Sequence, residues 1–243
     1  MAVAGICWAY VGYMAWGMAN MDVAADWLLM PRMTGWGISD LALVLAMWML
    51  MMAAMMLPSA TPLLLLVHRA TAQQHGSGRA ALDTIAFALG YLAVWSAFSV
   101  LATAAQWALL EERLVSPMMD SSSPYLSGVL LVAAGAYQFS GLKLACLARC
   151  RSPLSFLMTQ RGHGAFVLGV RHGVYCAGCC WLIMALLFVL GVMNLWWILG
   201  LTLFVLLEKF LRQPRGLVSA GGAALVAWGL LVLGYRILPV AGP

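Results

Sequence analysis

Charge is what this chain has least of. Only 9% of its 243 residues are charged, where a soluble globular domain carries about 25%. That scarcity excludes a soluble enzyme, because a water-facing exterior needs polar surface that these residues cannot supply. Polar segments are also short. No stretch between apolar runs exceeds about 25 residues, which leaves no room for a separate soluble domain. Phosphate-binding Gly-Lys loops, His-Glu-x-x-His zinc motifs and Gly-x-Ser-x-Gly nucleophile elbows are missing. An ATP-driven pump is excluded with them. With 4 His in all, and His75 and His163 in polar segments, paired axial ligation of several haems is not expected.

What is present is hydrophobic residue, 64% of the chain, in repeated uncharged runs of the length that crosses a bilayer. The sequence predicts an all-α polytopic transmembrane helical bundle in one domain, 1–243. Seven spans are expected near 2–20, 39–58, 81–110, 127–145, 172–192, 195–212 and 217–237, with six as the alternative. No basic n-region or cleavage site precedes the first run, so it reads as a retained span. Most basic residues fall in alternate loops: Arg69 and Arg79; Arg149, Arg151 and Arg161; Lys209, Arg212 and Arg215. By the positive-inside rule these loops are cytoplasmic, which puts the N-terminus in the cytoplasm and the C-terminus outside. The same rule accounts for the net charge of +5, so the basic balance implies no nucleic-acid partner. Trp27, Trp36, Trp107, Trp196 and Trp197 fall near expected outer boundaries, where indoles anchor at the headgroups.

Soft ligands carry the functional signal. At the start of the fifth span, His172, Cys176 and Cys180 are spaced i, i+4, i+8, and Cys179 lies beside them, so one helical stripe offers an imidazole and three thiols. Cys146 and Cys150, again i and i+4, end the fourth span on the same face of the membrane. Thiolates with imidazole select Cu(I) or Zn(II), and a reducing cytosol disfavours stable disulfides there. The plain alternative is that these thiols pack as small hydrophobes beside Gly173, Ala177 and Gly178. That alternative is preferred for the isolated Cys7.

Methionine is the second signal: 17 residues, densest from Met47 to Met56. Met47, Met51 and Met55 repeat every four residues, with Met52 and Met56 on an adjacent stripe. Thioethers bind Cu(I) without deprotonation and bury no formal charge. Singly, each is as well explained by packing. Met18, Met21, Met30, Met33, Met118, Met119 and Met193 lie near the expected outer face, so a ladder of soft ligands across the bilayer is conceivable if the second and fifth helices meet. Glu208, Lys209, Asp83 and Lys143 lie close enough to the inner interface to snorkel or pair; Glu208 is kept as an auxiliary oxygen ligand or proton carrier. Gln106, Tyr137, Gln138 and Asn194 are expected to hydrogen-bond between helices. Pro58 and Pro62 are expected to interrupt or kink the second helix.

Three segments together, Trp48 to Pro62, Tyr137 to Phe156 and His172 to Lys209, carry Met-Met-Ala-Ala-Met-Met-Leu-Pro, the Cys146 and Cys150 pair before Arg-Ser-Pro-Leu, and Cys179-Cys180-Trp181. They resemble a bacterial family of uncharacterised polytopic integral membrane proteins, predicted to bind metal. The resemblance covers most of the chain. It implies metal, chiefly copper, handled in a bacterial inner membrane, at Met51, Met52, Met55 and Met56, Cys146 and Cys150, and His172, Cys176, Cys179 and Cys180. The function expected is transport, delivery or storage of Cu(I), with zinc as a second metal and no catalytic residue. Partners are the lipid bilayer and a metallochaperone or larger membrane complex. Two alternatives stay open: a membrane thiol-disulfide oxidoreductase using Cys179 or Cys180 against Cys146 or Cys150, and a non-catalytic accessory or assembly subunit.

Overall fold

A computed structural model describes residues 2–19, 36–112, 123–159, 162–192, 194–211 and 214–237. The chain is all-α, and no strand occurs among the described residues. Its elements are α1 (Ala2–Ala19), α2 (Ile38–His75), α3 (Ser77–Glu111), α4 (Pro124–Gln138), α5 (Gly141–Cys150), α6 (Pro153–Thr159), α7 (Ala165–Ala185), α8 (Leu187–Leu190), α9 (Leu195–Phe210) and α10 (Arg215–Ile237).

Seven spans are not supported. Among the described residues four helical stretches are long and apolar enough to cross a membrane: Ile38–His75, Ser77–Glu111, Ala165–Leu190 and Arg215–Gly234. The expected fourth span is broken instead: α4 and α5 meet at 65°, and count as a fifth only if the bent pair is one crossing. The break is local chemistry. Ser140 leaves the helix at Phe139 and its hydroxyl accepts from the Lys143 N–H, 3.2 Å away, starting a new helix. The expected sixth span, α9, has 16 residues, short of the roughly 20 a bilayer needs. Neither four nor five crossings gives the expected seven, so the expected placement of the termini on opposite sides of the membrane is not supported either.

Two prolines do not end α2. Pro58 and Pro62 both lie inside its 38 residues, each removing one backbone donor. Hydroxyls add donors to the same stretch: Ser59 Oγ donates to the Met56 carbonyl at 2.8 Å and Thr61 Oγ1 to that of Leu57 at 3.1 Å. The helix turns back only at Gly76, whose φ of +83° suits glycine.

Glycine decides how closely the helices approach. A Cβ at Gly90 of α3 would lie 2.1 Å from the Phe166 carbonyl oxygen, and one at Gly169 of α7 would lie 2.1 Å from that of Phe87. The two helices therefore touch backbone to backbone, and this contact sets Tyr91 against the Cys face of α7. A second small-residue stripe joins α4 to α10: a Cβ at Gly135 would meet the Gly222 oxygen at 2.7 Å, and one at Gly229 the Gly128 oxygen at 2.9 Å. The Gly221–Gly222 run thus serves a contact within the chain.

Apolar residues face outward as well as inward. Leu101 is 70% exposed, Leu231 68% and Trp196 83%, an exterior suited to hydrocarbon and headgroups. Trp107 and Trp197 are also exposed, while Trp27 lies outside the described residues. Gly90→Ala should lower stability by about 1–3 kcal/mol through overpacking. Gly78→Ala, with open space around its Cβ, should be neutral or slightly stabilising. Thermal denaturation in detergent compares the two, and equal behaviour would contradict the close α3–α7 contact.

Candidate metal centre

The Met run of α2 is interior except at Met49, which is exposed. Met47, Met51, Met52, Met55 and Met56 are buried, and so are Cys176, Cys179 and Cys180 of α7, all in one hydrophobic core cluster. Thioethers and thiols expected from separate sequence motifs are therefore brought into a common interior. The outer methionines of the expected ladder, Met18, Met21, Met30, Met33, Met118, Met119 and Met193, lie outside what is described at side-chain level. Met14 of α1 instead joins Met47 and Met51 around a small cavity of about 10 Å³.

Three polar groups stitch the two sets of sulfur together. Tyr91 of α3 donates its hydroxyl to the Met56 carbonyl at 3.1 Å and lies 3.1 Å from Cys176 Sγ. Lys209, from the last turn of α9, donates from Nζ to Ser59 Oγ at 2.8 Å and to Cys176 Sγ at 3.0 Å. Ser59 follows the Met run directly. An α9 ammonium and an α3 phenol thus meet at one thiol of α7, and an α2 hydroxyl holds the ammonium.

The other thiols are arranged differently. Cys179 and Cys180 both donate to the Cys176 carbonyl, at 3.1 and 2.9 Å. Cys150 comes from α5 to lie against Cys179. Cys146 sits over Gly178, where an added Cβ would be 2.9 Å from its sulfur. All six cysteines are free. Cys7 is buried in α1 and packs in the apolar core, as expected. Among the described residues, no three His, Cys, Asp or Glu side chains form a group that could hold a metal ion. The convergence is of neighbours, not of a preformed multidentate cage.

His172 lies two turns inside α7, not at its start. Its ring is boxed by aromatics: Tyr91 stacked at 5.7 Å between centroids, Phe156 edge-on at 5.5 Å and Phe87 tilted at 6.0 Å. Its Nδ1 is buried without a hydrogen-bond partner, an arrangement that normally costs free energy. His172, Cys150, Lys209 and Ser59 line one cavity of about 220 Å³, with Arg151 and Pro62. That cavity reaches one end of the sulfur cluster.

Glu208 and Lys209 are neighbours in sequence but not partners. Both Glu208 oxygens are bound by Lys143 Nζ, at 2.8 and 3.0 Å, with the pair 1% and 0% exposed. Snorkelling does not describe a pair sealed from solvent. Asp83 pairs with Arg79 at 3.4 Å near the surface, in line with expectation. Gln106 accepts from Trp48 Nε1 at 2.6 Å and Tyr137 donates to the Gly178 carbonyl at 2.5 Å, both between helices. Gln138 packs beside Glu208. Asn194, expected to bridge helices, caps its own: its side chain accepts from the Trp196 N–H at 3.1 Å. Sequence reasoning missed Tyr91, Ser59 and the Lys209–Cys176 contact. A lysine inside an apolar helix was the one available signal for them.

Residues 45–232, about three quarters of the chain, match the PpoB2 family, described as copper chaperone. Nothing matches among curated proteins or among solved structures.

Removing one partner of a buried ion pair strands the other charge. Glu208→Gln should therefore destabilise the protein by about 3 kcal/mol, whereas the Lys143→Met, Glu208→Met double variant should lose much less. Melting temperatures in detergent test this. A double variant worse than the single would mean that the pair's own attraction outweighs its desolvation.

Proposed function

The chain belongs to the PpoB2 copper chaperone family, and from that premise we propose that it is an inner-membrane protein that binds Cu(I) and passes it on. Copper is its cargo. The observation that carries this reading is the burial of a thioether run and a thiol set in one core, joined through Tyr91, Ser59 and Lys209. Support for a membrane setting comes from four membrane-length apolar helices and an outward-facing apolar surface.

In this reading Cys176 is the primary ligand. Cys179 is its nearest complement, Cys180 and His172 stand beside this pair without completing a larger cage, and Cys150 and Cys146 exchange with it at the α5 side. Soft sulfur donors match Cu(I). The thioethers of Met47, Met51, Met52, Met55 and Met56 form an uncharged conduit toward the thiols, and Glu208, bound to Lys143, maintains the fold beside them. Transfer proceeds by ligand exchange: an incoming thiolate or thioether bonds to the ion as an outgoing one leaves, with no change of oxidation state. The cavity bordered by Cys150 and His172 is where a partner's ligand would reach the cluster. The cytoplasmic side is the one its basic surroundings favour.

Anaerobic titration of detergent-purified protein with Cu(I) tests the site. Stoichiometric binding should be lost in the Cys176→Ser, Cys180→Ser double variant. It should be retained, with slower release to a competing thiol, in Met51→Leu, Met55→Leu. Wild-type affinity should fall as pH is lowered, because each thiol must lose a proton on binding while a thioether loses none. Stoichiometric copper persisting in the double cysteine variant would overturn the assignment.

A further inference from the structure

Lys209 is a buried cation without a carboxylate. It is 8% exposed, its neighbour Glu208 is fully taken by Lys143, and among the described residues its ammonium forms no ion pair. Its contacts are a neutral serine hydroxyl and the sulfur of Cys176. A charge held in an apolar interior is costly unless an opposite charge is provided. Of the two side chains it hydrogen-bonds, only Cys176 can become an anion. The other two clustered thiols of α7 point at a backbone carbonyl, so the ammonium singles out one sulfur.

We propose that Lys209 sets the valence of the cargo: its fixed charge makes the cluster neutral when a monovalent soft ion is bound by two thiolates, and charged when a divalent ion takes the same place. The proposal rests on the copper-binding reading above. A monovalent ion between two thiolates carries one net negative charge, which the ammonium balances. A divalent ion between the same two is already neutral, and Lys209 then leaves one positive charge uncompensated in the core. A divalent ion could recover neutrality only by recruiting a third thiolate. Among the described residues no three His, Cys, Asp or Glu side chains form a group that could hold an ion, so a third thiolate has to be brought in by movement. Cu(I) and Ag(I) are admitted on this ground, and Zn(II) is rejected although thiolates bind it well.

The test is a competition between Ag(I), a monovalent probe that does not change oxidation state, and Zn(II), on detergent-purified full-length protein. Wild type should take up Ag(I) stoichiometrically and hold it against excess Zn(II). Lys209→Met replaces the ammonium by an apolar chain of similar length. It should reduce the Ag(I)-over-Zn(II) preference by about 100-fold, the size expected when a buried charge loses its partner. Lys209→Arg keeps the charge and should restore most of the preference, which a merely structural role for the lysine would not predict. Melting curves on the metal-free variants show whether each is folded, and if Lys209→Met is not, the Lys209→Gln variant is read in its place. An unchanged preference in a folded, uncharged variant overturns the valence proposal and leaves the copper reading standing. Wild type that binds neither ion, or Ag(I) binding indifferent to Cys176→Ser, overturns the copper reading itself.

Discussion

The contact between the Lys209 ammonium and the Cys176 sulfur, 3.0 Å apart in an apolar core, is the interaction around which the rest of the site is organised. An ammonium buried this deeply has to be hydrogen-bonded and charge-compensated. Those demands fix several elements at once. α9 must end where its last turn can reach α7, α2 must present Ser59 just beyond its methionines, and α3 must lie close enough for Tyr91 to share the same sulfur. The Gly90–Gly169 approach meets the last condition. The Lys143–Glu208 pair keeps the neighbouring carboxylate occupied, so the ammonium is left facing a thiol.

Helical class and the interior role of the Met run were legible in the sequence because both rest on hydrophobicity and a 3.6-residue period. The stripe of His172, Cys176 and Cys180 was legible for the same reason. Span counting went further than hydropathy allows. It cannot see direction, so α4 and α5 read as one crossing although Ser140 starts a new helix at 65° to the old one. The helix runs on through Pro58 and Pro62 where an interruption was one expectation, because the rule for an isolated helix takes no account of hydroxyls three or four residues from a carbonyl or of neighbouring helices that accommodate the defect.

Partner choice among the charged residues was not legible. Glu208 and Lys209 are adjacent, and adjacent residues on an α-helix point about 100° apart. One therefore reaches α5 and the other reaches α2 and α7, a separation visible only once the helices are placed. Tyr91 carried no signal because its role depends on the carbonyl of Met56 and the thiol of Cys176, which come from two other helices. His172 was read by its spacing as a ligand beside the thiols; its ring is in fact held in an aromatic box, with one nitrogen unpartnered at the edge of a cavity.

A copper chaperone built this way must hold its cargo firmly enough to exclude water and loosely enough to surrender it. In the proposed reading, few soft ligands inside an apolar core meet both conditions: low coordination leaves room for an incoming donor, and a neutral complex incurs little desolvation cost. The most direct test of that account is X-ray absorption at the copper edge on protein loaded anaerobically with one equivalent of Cu(I). The account predicts a low-coordinate, all-sulfur shell around a monovalent ion. A four-coordinate shell dominated by nitrogen or oxygen, or a divalent edge, would contradict it.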